Sequence, residues 1–156
     1  MWDDNREPEM ERWRLRQVWG DWLSEFVWHH FVTLTFRPDK PEKPGQRVKR
    51  ERSIDAIERL FKFGFVRRAS WFTHRPLAWY AVIERGKGGL LHVHALMWGT
   101  DALTMDQFGS AWKAGLCDIA RYDWRLGAAH YVAKDIAAGA EWFMSKRWPP
   151  RLAKSA

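Results

Sequence analysis

The alternation of apolar and polar side chains predicts where the first helix and the first strand lie. Residues 8–26 place apolar side chains at helical spacing, so we expect an amphipathic helix whose tryptophans lie in the core. Residues 31–36 alternate with a period of two, as a half-buried strand does, with Thr33 and Thr35 on the face opposite to the apolar side chains. The apolar stripe of the helix consists of Leu15, Val18, Trp19, Trp22, Leu23 and Phe26.

Downstream of this strand, the pattern changes several times between helical and strand spacing. Three prolines and a glycine in residues 37–46 predict an exposed loop. Thr104 and Gln107 stand at capping-box spacing, which predicts a helix that begins there and stops near Gly115. The other expected elements are a helix over 54–64, a basic connection over 67–76, strands over 77–84 and 90–98 joined by a glycine-rich turn at 85–89, a strand over 116–122, a helix over 126–138 and a basic, proline-broken tail over 142–156.

The order of these elements predicts an α+β fold. After the first helix they run strand, helix, strand, strand, helix, strand and helix, which favours an antiparallel sheet with an RRM-like βαββαβ core and helices on one face. A chain of 156 residues fits one domain. We expect an N-terminal helical extension over 1–28, a core over 29–140 and a basic tail over 141–156.

The charge and the aromatic content of the chain favour a nucleic-acid partner. Lys and Arg number 26 against 19 Asp and Glu, which gives a formal net charge of +7. Such an excess suits a partner with repeated negative charge. The 12 Trp and 9 Phe also offer flat rings on which unpaired bases can stack.

Several other classes of protein are disfavoured by what the sequence lacks. The single cysteine, Cys117, cannot form an internal disulfide, so we expect a reducing compartment, the cytoplasm. The sequence has no apolar run of about 18 residues, so no membrane span is expected. It also has no GxxxxGK[ST] phosphate loop, so any helicase would be a separate chain.

A candidate metal site lies on the predicted hairpin. His92 and His94 are two residues apart in a strand, so their imidazoles point to the same face. If the hairpin turns about Gly88, Glu84 lies opposite His92 on that face. A carboxylate and two imidazoles suit Mn²⁺, Mg²⁺ or a similar divalent ion. Two solvated histidines remain an equal alternative, whereas zinc is disfavoured because Cys117 is distant in sequence.

A candidate nucleophile lies on the last predicted helix. Tyr131, Lys134 and Asp135 share a helical face. A phenol of pKa about 10 needs a neighbouring cation or metal to attack a phosphate at neutral pH, and Lys134 supplies a cation. The alternative is that Tyr131 is simply a half-buried helix tyrosine. Tyr80, at even spacing from Glu84, could line the site as a stacking ring.

Further residues are candidates for contacts with DNA. His130 points away from the face of Tyr131 and is expected at the surface or on DNA. Basic side chains before and within the hairpin would contact phosphates. The expected set of DNA contacts is Arg67, Arg68, Tyr80, Arg85, Lys87 and His130.

Three segments resemble motifs of the HUH endonuclease superfamily, specifically the rolling-circle replication initiators (Rep) of plasmids and single-stranded DNA phages. Residues 31–36 (FVTLTF) are similar to the first motif, a strand of the central sheet. Residues 80–95 (YAVIERGKGGLLHVHA) are similar to the metal hairpin. Residues 131–134 (YVAK) are similar to the YxxK catalytic helix. The resemblance runs from Phe31 to about Lys146.

The resemblance implies an activity and a role for each matching residue. The protein would nick single-stranded DNA or an origin hairpin through a covalent 5′-phosphotyrosine intermediate and so initiate rolling-circle replication. Asp135 stands where two-tyrosine phage enzymes carry their second tyrosine, so the chain resembles single-tyrosine enzymes, and Asp135 could orient a water that releases the product. The implied roles are Glu84, His92 and His94 as metal ligands, Tyr131 as nucleophile and Lys134 as its assistant.

Two alternative functions remain open from the sequence. A single-tyrosine transposase of the same superfamily would use the same atoms, but such enzymes usually exchange the tyrosine helix within a dimer. A non-catalytic binder of single-stranded nucleic acid would instead use stacking rings on the sheet and need no metal. Its candidate rings are Trp71, Trp79, Tyr80 and Trp98.

Overall fold

The computed structural model describes residues 6–37, 44–45, 52–87 and 89–153, and in them a sheet lies between two layers of helices. Most of the predicted loop over 37–46 lies outside the described residues. The helices are α1 (Arg6–Ser24), α2 (Ile54–Arg59), α3 (Arg67–Thr73), α4 (Met105–Ala111) and α5 (Ala128–Ala137); a π-helical segment (Leu60–Val66) joins α2 to α3, and a 3₁₀ turn (Trp124–Leu126) precedes α5. The strands are β1 (His30–Thr35), β2 (Ala78–Arg85), β3 (Leu91–Trp98), β4 (Cys117–Arg121) and β5 (Glu141–Met144).

All neighbouring strands of the sheet are antiparallel, in the order β4-β1-β3-β2-β5. The first four follow the order of an RRM-like fold, so the predicted α+β class is confirmed. The sequence pattern does not predict β5, because four residues are too few for alternation to be recognised. This strand pairs with β2 at the edge of the sheet, in the region assigned to the tail.

Helices cover both faces of the sheet, so the expectation of helices on one face is wrong. On one face, Val32, Leu34 and Val93 pack against α2, α3 and α4. On the other face, Tyr80 and Val82 pack in a second core with residues from the α1 and α5 regions. The physical reason is that β2 is buried continuously from Ala78 to Ile83, as in strands covered on both sides.

The second helical region is longer than predicted. The sequence indicates a stop near Gly64, but the π-helical segment carries the chain through this residue, and α3 continues to Thr73. His74 then ends the helix in the left-handed conformation, with φ of 54°. Continued packing every four residues outweighs the low helix propensity of glycine. The buried stripe consists of Ile57, Phe61, Phe65 and Ala69.

The first helix is buried mainly towards its C-terminal end. Leu23 is fully buried, whereas Leu15 and Val18, expected in the same apolar stripe, are exposed. Trp22 stacks on Trp148 of the tail, with ring centroids 5.1 Å apart. The tail is therefore packed against the end of α1.

The predicted capping box is present at the start of α4. The Thr104 hydroxyl accepts from the backbone N–H of Gln107, whose side chain accepts in return from the backbone N–H of Thr104. The helix ends at Ala111, before the predicted Gly115, which instead lies so close to β1 that an added Cβ would be 1.9 Å from the carbonyl oxygen of Thr35. Among the described residues, no helix combines the length and apolarity needed to cross a bilayer.

Candidate active site

The hairpin of β2 and β3 brings three candidate metal ligands to one face of the sheet. Glu84 pairs directly with His92, which is the register that the sequence predicts. His94 follows two residues later and therefore points to the same face. This is the face covered by α1 and α5, where Val82 also points. Alternation along two paired strands thus gathers Glu84, His92 and His94.

The ligand atoms of these three side chains converge. The Nε2 atoms of His92 and His94 are 2.9 Å apart, and Oε2 of Glu84 lies 2.8 Å from His94 Nε2 and 3.3 Å from His92 Nε2. Ligand atoms bound to one ion at about 2.0–2.2 Å are separated by roughly 3 Å. The spacing and the mixed nitrogen and oxygen donors therefore fit a divalent metal ion.

The electrostatic environment favours the ligand forms of these groups. Burial, with a contribution from His92, lowers the pKa of His94 to about 4, so this imidazole is neutral at pH 7. Burial alone would raise the pKa of Glu84, but the nearby Lys134 and His94 outweigh it and lower the pKa. A neutral imidazole and an ionised carboxylate are the states that bind metals.

Side chains of β1 fix the orientation of the His94 ring. The hydroxyl of Thr33 lies 3.0 Å from His94 Nδ1. With Nε2 binding a metal ion, Nδ1 would carry the proton and donate it to this hydroxyl. The Phe31 ring stacks on the imidazole at 5.5 Å, with 11° between the planes. These two contacts hold Nε2 towards Glu84.

The phenol of Tyr131 lies directly against the candidate metal ligands. Its hydroxyl donates to Glu84 Oε2 at 3.3 Å, and its ring meets His94 edge-on at 5.2 Å. Tyr131 is 38% exposed. Of the other two tyrosines in the chain, Tyr80 is fully buried and Tyr122 is half-buried. Tyr131 is therefore the tyrosine that combines access to solvent with contact to the three ligands.

Lys134 provides a positive charge beside this phenol. Its Nζ lies 4.4 Å from the centre of the Tyr131 ring and 3.3 Å from Glu84 Oε1. Burial lowers the pKa of Lys134, but Asp135 and Glu84 outweigh it and raise the pKa, so the amine stays charged at neutral pH. Burial and Glu84 raise the pKa of Tyr131, whereas Lys134 acts in the opposite direction.

Asp135 belongs to the same cluster but is buried. Its Oδ1 lies 3.5 Å from Lys134 Nζ, while its Oδ2 is buried without a hydrogen-bond partner. Burial and the nearby Glu84 raise the pKa of Asp135 to about 6. The expected role of Asp135 in orienting water stays a prediction.

Two residues expected to contact DNA are placed elsewhere. Tyr80 is on the predicted face, but the second core covers this face and the ring stacks on Trp142, so the stacking role is wrong. His130 packs between helices: its Nε2 lies 2.9 Å from Asp21, and a Cβ on Gly20 would be 2.2 Å from the imidazole. A DNA contact by His130 is therefore not supported.

The basic residues expected to contact DNA lie in two regions, helix α3 and the end of the hairpin. Arg67 and Arg68 are exposed on α3, which packs on the face opposite to the candidate ligands, so they do not line this site. Arg85 and Lys87 are exposed at the end of the hairpin, directly after Glu84, and their contacts with DNA stay a prediction.

The stacking rings expected of a non-catalytic binder do not form a platform. Trp79 and Tyr80 are buried in different cores on opposite faces of β2. Trp71 is exposed on α3, and Trp98 is partly buried against the second core. The structure therefore does not support this alternative as it was predicted.

Three residues that shape the candidate site, Phe31, Thr33 and Gly86, are not predicted from the sequence. The alternation of β1 places Phe31 and Thr33 on one face, but the pairing of β1 with β3 cannot be inferred from it. Gly86 lies beside the imidazole of His92, where an added Cβ would be 2.9 Å from Cε1. Its place in a glycine-rich turn suggests backbone freedom, and only the structure shows that the missing side chain makes room for the imidazole of His92.

Comparison with known proteins assigns the chain to a family. The model of the replication-associated protein family that is named for the ORF2 protein matches residues 29–139, so the chain belongs to this family. The resemblance to replication initiators predicted from the motifs is thereby confirmed.

Two further comparisons add no support. No curated protein matches the chain. Among solved structures, it is similar to the N-terminal nuclease domain of non-structural protein 1 of Minute virus of mice, with 10% sequence identity, coverage of 98% of this chain and 77% of that chain, and a TM-score of 0.33. That domain is described as coordinating Zn²⁺ in its active-site pocket and recognising DNA at the origin of replication. A likeness this weak carries no argument for the present chain.

Proposed function

We propose that the protein is a metal-dependent endonuclease that nicks single-stranded DNA at a specific site through a covalent 5′-phosphotyrosine and so initiates rolling-circle replication. The observation that carries this proposal is the contact of the Tyr131 hydroxyl with Glu84 at 3.3 Å, beside both imidazoles. The nucleophile and the candidate metal ligands therefore face one small space. Membership of a replication-associated family supports the biological role.

The proposed reaction is a transesterification that needs no further reactant. The Tyr131 oxygen forms a bond to phosphorus while the bond between phosphorus and the 3′ oxygen of the preceding nucleotide breaks. The phenolic proton is lost to a nearby acceptor, and the released 3′ oxygen gains a proton. The reaction therefore has no net uptake or release of protons. Because the tyrosyl phosphodiester keeps the energy of the broken bond, attack by a 3′-hydroxyl can rejoin DNA without ATP.

Lys134 and Glu84 prepare the phenol for this attack. Glu84 Oε2 accepts a hydrogen bond from the Tyr131 hydroxyl and so orients its oxygen towards the ligand cluster. The charge of Lys134, 4.4 Å from the ring centre, favours the phenolate and offsets the negative charge of a phosphate.

Glu84, His92 and His94 would hold the metal ion, for which we propose Mn²⁺ or Mg²⁺. When bound, such an ion supplies Lewis-acid assistance to the transfer of a phosphoryl group. The contribution of the chain is to present three ligand atoms already within 2.8 to 3.3 Å of one another, with His94 held by Thr33.

The proposed substrate is single-stranded DNA or hairpin DNA at an origin, and a helicase would act in trans in the cytoplasm. Tyr131 contacts Glu84 of its own chain. Membership of the replication-associated family favours a replication initiator over the transposases of the same superfamily.

A denaturing gel tests the proposed nucleophile. Labelled single-stranded DNA with a randomised centre is incubated with Mn²⁺ and the wild-type protein, Tyr131→Phe or Tyr122→Phe. We expect a DNA adduct that survives denaturation with wild type and with Tyr122→Phe, the matched control, but none with Tyr131→Phe. An adduct of normal yield with Tyr131→Phe, or no adduct with wild type, would contradict the proposal.

A further inference from the structure

A cavity of about 250 Å³ opens beside Tyr131, between α5 and the β4 edge of the sheet. The rings of Phe31, His94 and Tyr131 form part of its wall. Ala120 of β4 and Leu126 of the 3₁₀ turn also line it. We call this cavity, defined by these five residues, the flanking pocket.

The flanking pocket shares its wall with the reacting groups. Tyr131 and His94 line the pocket, and both also contact Glu84. A substrate whose phosphate meets the Tyr131 hydroxyl therefore has its neighbouring groups within reach of this space. The next parts of a DNA strand on either side of a phosphate are a sugar and its base.

The size and chemistry of the pocket suit one flat ring system. Its volume is below the roughly 300–1,000 Å³ of pockets for drug-sized ligands, so it holds one ring system rather than a longer segment. Aromatic walls stack on bases of any sequence. Leu126 is 79% exposed, so its side chain is accessible to a ligand that enters the pocket.

Polar side chains complete the pocket. Arg121 and Asp123 lie along its lining, so one cation and one carboxylate accompany the apolar walls. Asp123 forms a bidentate ion pair with Arg125. Arg125 Nη2 lies 2.7 Å from Oδ2, and Arg125 Nε lies 2.9 Å from Oδ1. Arginine can bind phosphate or a base edge, so Arg121 adds charge complementarity to a DNA strand.

We propose that the flanking pocket binds the base of a nucleotide directly adjoining the phosphate that is cut, and so positions that phosphate. This inference rests on the proposed nickase function and adds to it a subsite for the substrate. The occupant is an unpaired base, because a base within a duplex is stacked and paired and cannot enter a pocket of this size.

A substitution that fills the pocket provides the test. Ala120 is exposed on an edge strand, so Ala120→Trp places a large ring in the pocket without entering either core. Ala102→Trp, at an exposed position in a turn, is the matched control. Neither alanine belongs to the catalytic machinery described above. Equal melting temperatures of both variants and wild type establish that the fold is kept.

The substrate for the test is identified first. Adducts of wild type with a randomised single-stranded library and Mn²⁺ are sequenced to locate the cut. One cleaved sequence is then synthesised with normal bases and with a single abasic site at each of the two positions flanking the cut. Adduct yields are measured for all three proteins.

We expect an abasic site at one of the two flanking positions to lower the adduct yield of wild type and of Ala102→Trp by about tenfold, the effect of one lost stacked base. Ala120→Trp should show a similar loss on normal DNA and no further loss from that abasic site. If the abasic site lowers the yield of Ala120→Trp as much as that of wild type, the flanking pocket does not hold this base, while the nickase function stands. If wild type forms no adduct with any library member, the nickase function fails and this inference fails with it.

Discussion

Replacement of Thr33 by valine tests whether β1 positions the candidate metal ligand His94. Valine keeps the size and branching of threonine, so β1 should be preserved, but it removes the hydroxyl that lies 3.0 Å from His94 Nδ1. The imidazole then loses the contact that selects its tautomer and directs Nε2 towards Glu84. We expect weaker metal binding and an otherwise normal fold.

The expected magnitude follows from the two contacts on the His94 ring. Loss of a hydrogen-bond partner of a metal-binding histidine typically costs 10–100-fold in metal affinity, about 1.4–2.7 kcal/mol. Phe31 still stacks on the ring and keeps its plane, so the loss should be near the lower value, roughly tenfold. His94 is only 7% exposed, so the substitution leaves a buried Nδ1 without a hydrogen-bond partner. This loss should lower the free energy of unfolding by about 1–3 kcal/mol.

Calorimetric titration of Mn²⁺ into the metal-free protein at pH 7 measures this effect. Thr35→Val is the matched control, because Thr35 is on the same face of β1, opposite His92, and its hydroxyl accepts from the backbone N–H of Leu116. We expect Thr33→Val to bind Mn²⁺ about tenfold more weakly than Thr35→Val does. Equal affinities for the two variants would refute the positioning role of Thr33.

Two further predictions concern the same cluster. In Gly86→Ala, the new Cβ would lie 2.9 Å from Cε1 of His92, so this ring must shift at a cost of about 0.5–1.5 kcal/mol. Titration with Mn²⁺ should therefore show roughly two- to tenfold weaker binding. Unchanged binding would contradict this steric role. The pKa of His94 is about 4, below its ordinary 6.5, so between these pH values the unfolded chain binds more protons than the folded chain does. The contribution of this group therefore makes the metal-free protein more stable as pH rises from 4 to 6.5. The pKa of Asp135 is about 6, above its ordinary 3.8, so the folded chain binds more protons and stability falls as pH rises through that range. Urea unfolding from pH 4 to 6.5 should therefore show Asp135→Asn gaining on the order of 2 kcal/mol relative to wild type, and parallel pH profiles would show that Asp135 does not oppose His94.

Local spacing is sufficient to predict which residues lie together at the candidate site. Alternation places His92 and His94 on one face, and the midpoint of the hairpin fixes Glu84 opposite His92. Helical spacing likewise places Lys134 one turn from Tyr131. These relations depend on regular geometry within one hairpin or one helix, so a single sequence reveals them.

The relations between distant elements could not be predicted in the same way. Even spacing from Glu84 correctly places Tyr80 on the ligand face, but spacing does not show that α1 and α5 cover this part of the face. The pairing of β1 with β3, which brings Thr33 to His94, depends on contacts far apart in sequence. Packing of helices on both faces of the sheet also depends on contacts between distant elements, so the sequence does not predict it.

Mass spectrometry of the covalent product tests the central claim most directly. Wild-type protein is reacted with single-stranded DNA and Mn²⁺, the DNA is trimmed by nuclease, and the protein is digested with protease. We expect the remaining phosphonucleotide on Tyr131, attached through a 5′ phosphate. A modification on Tyr80, Tyr122 or any other residue, or attachment through a 3′ phosphate, would contradict the account.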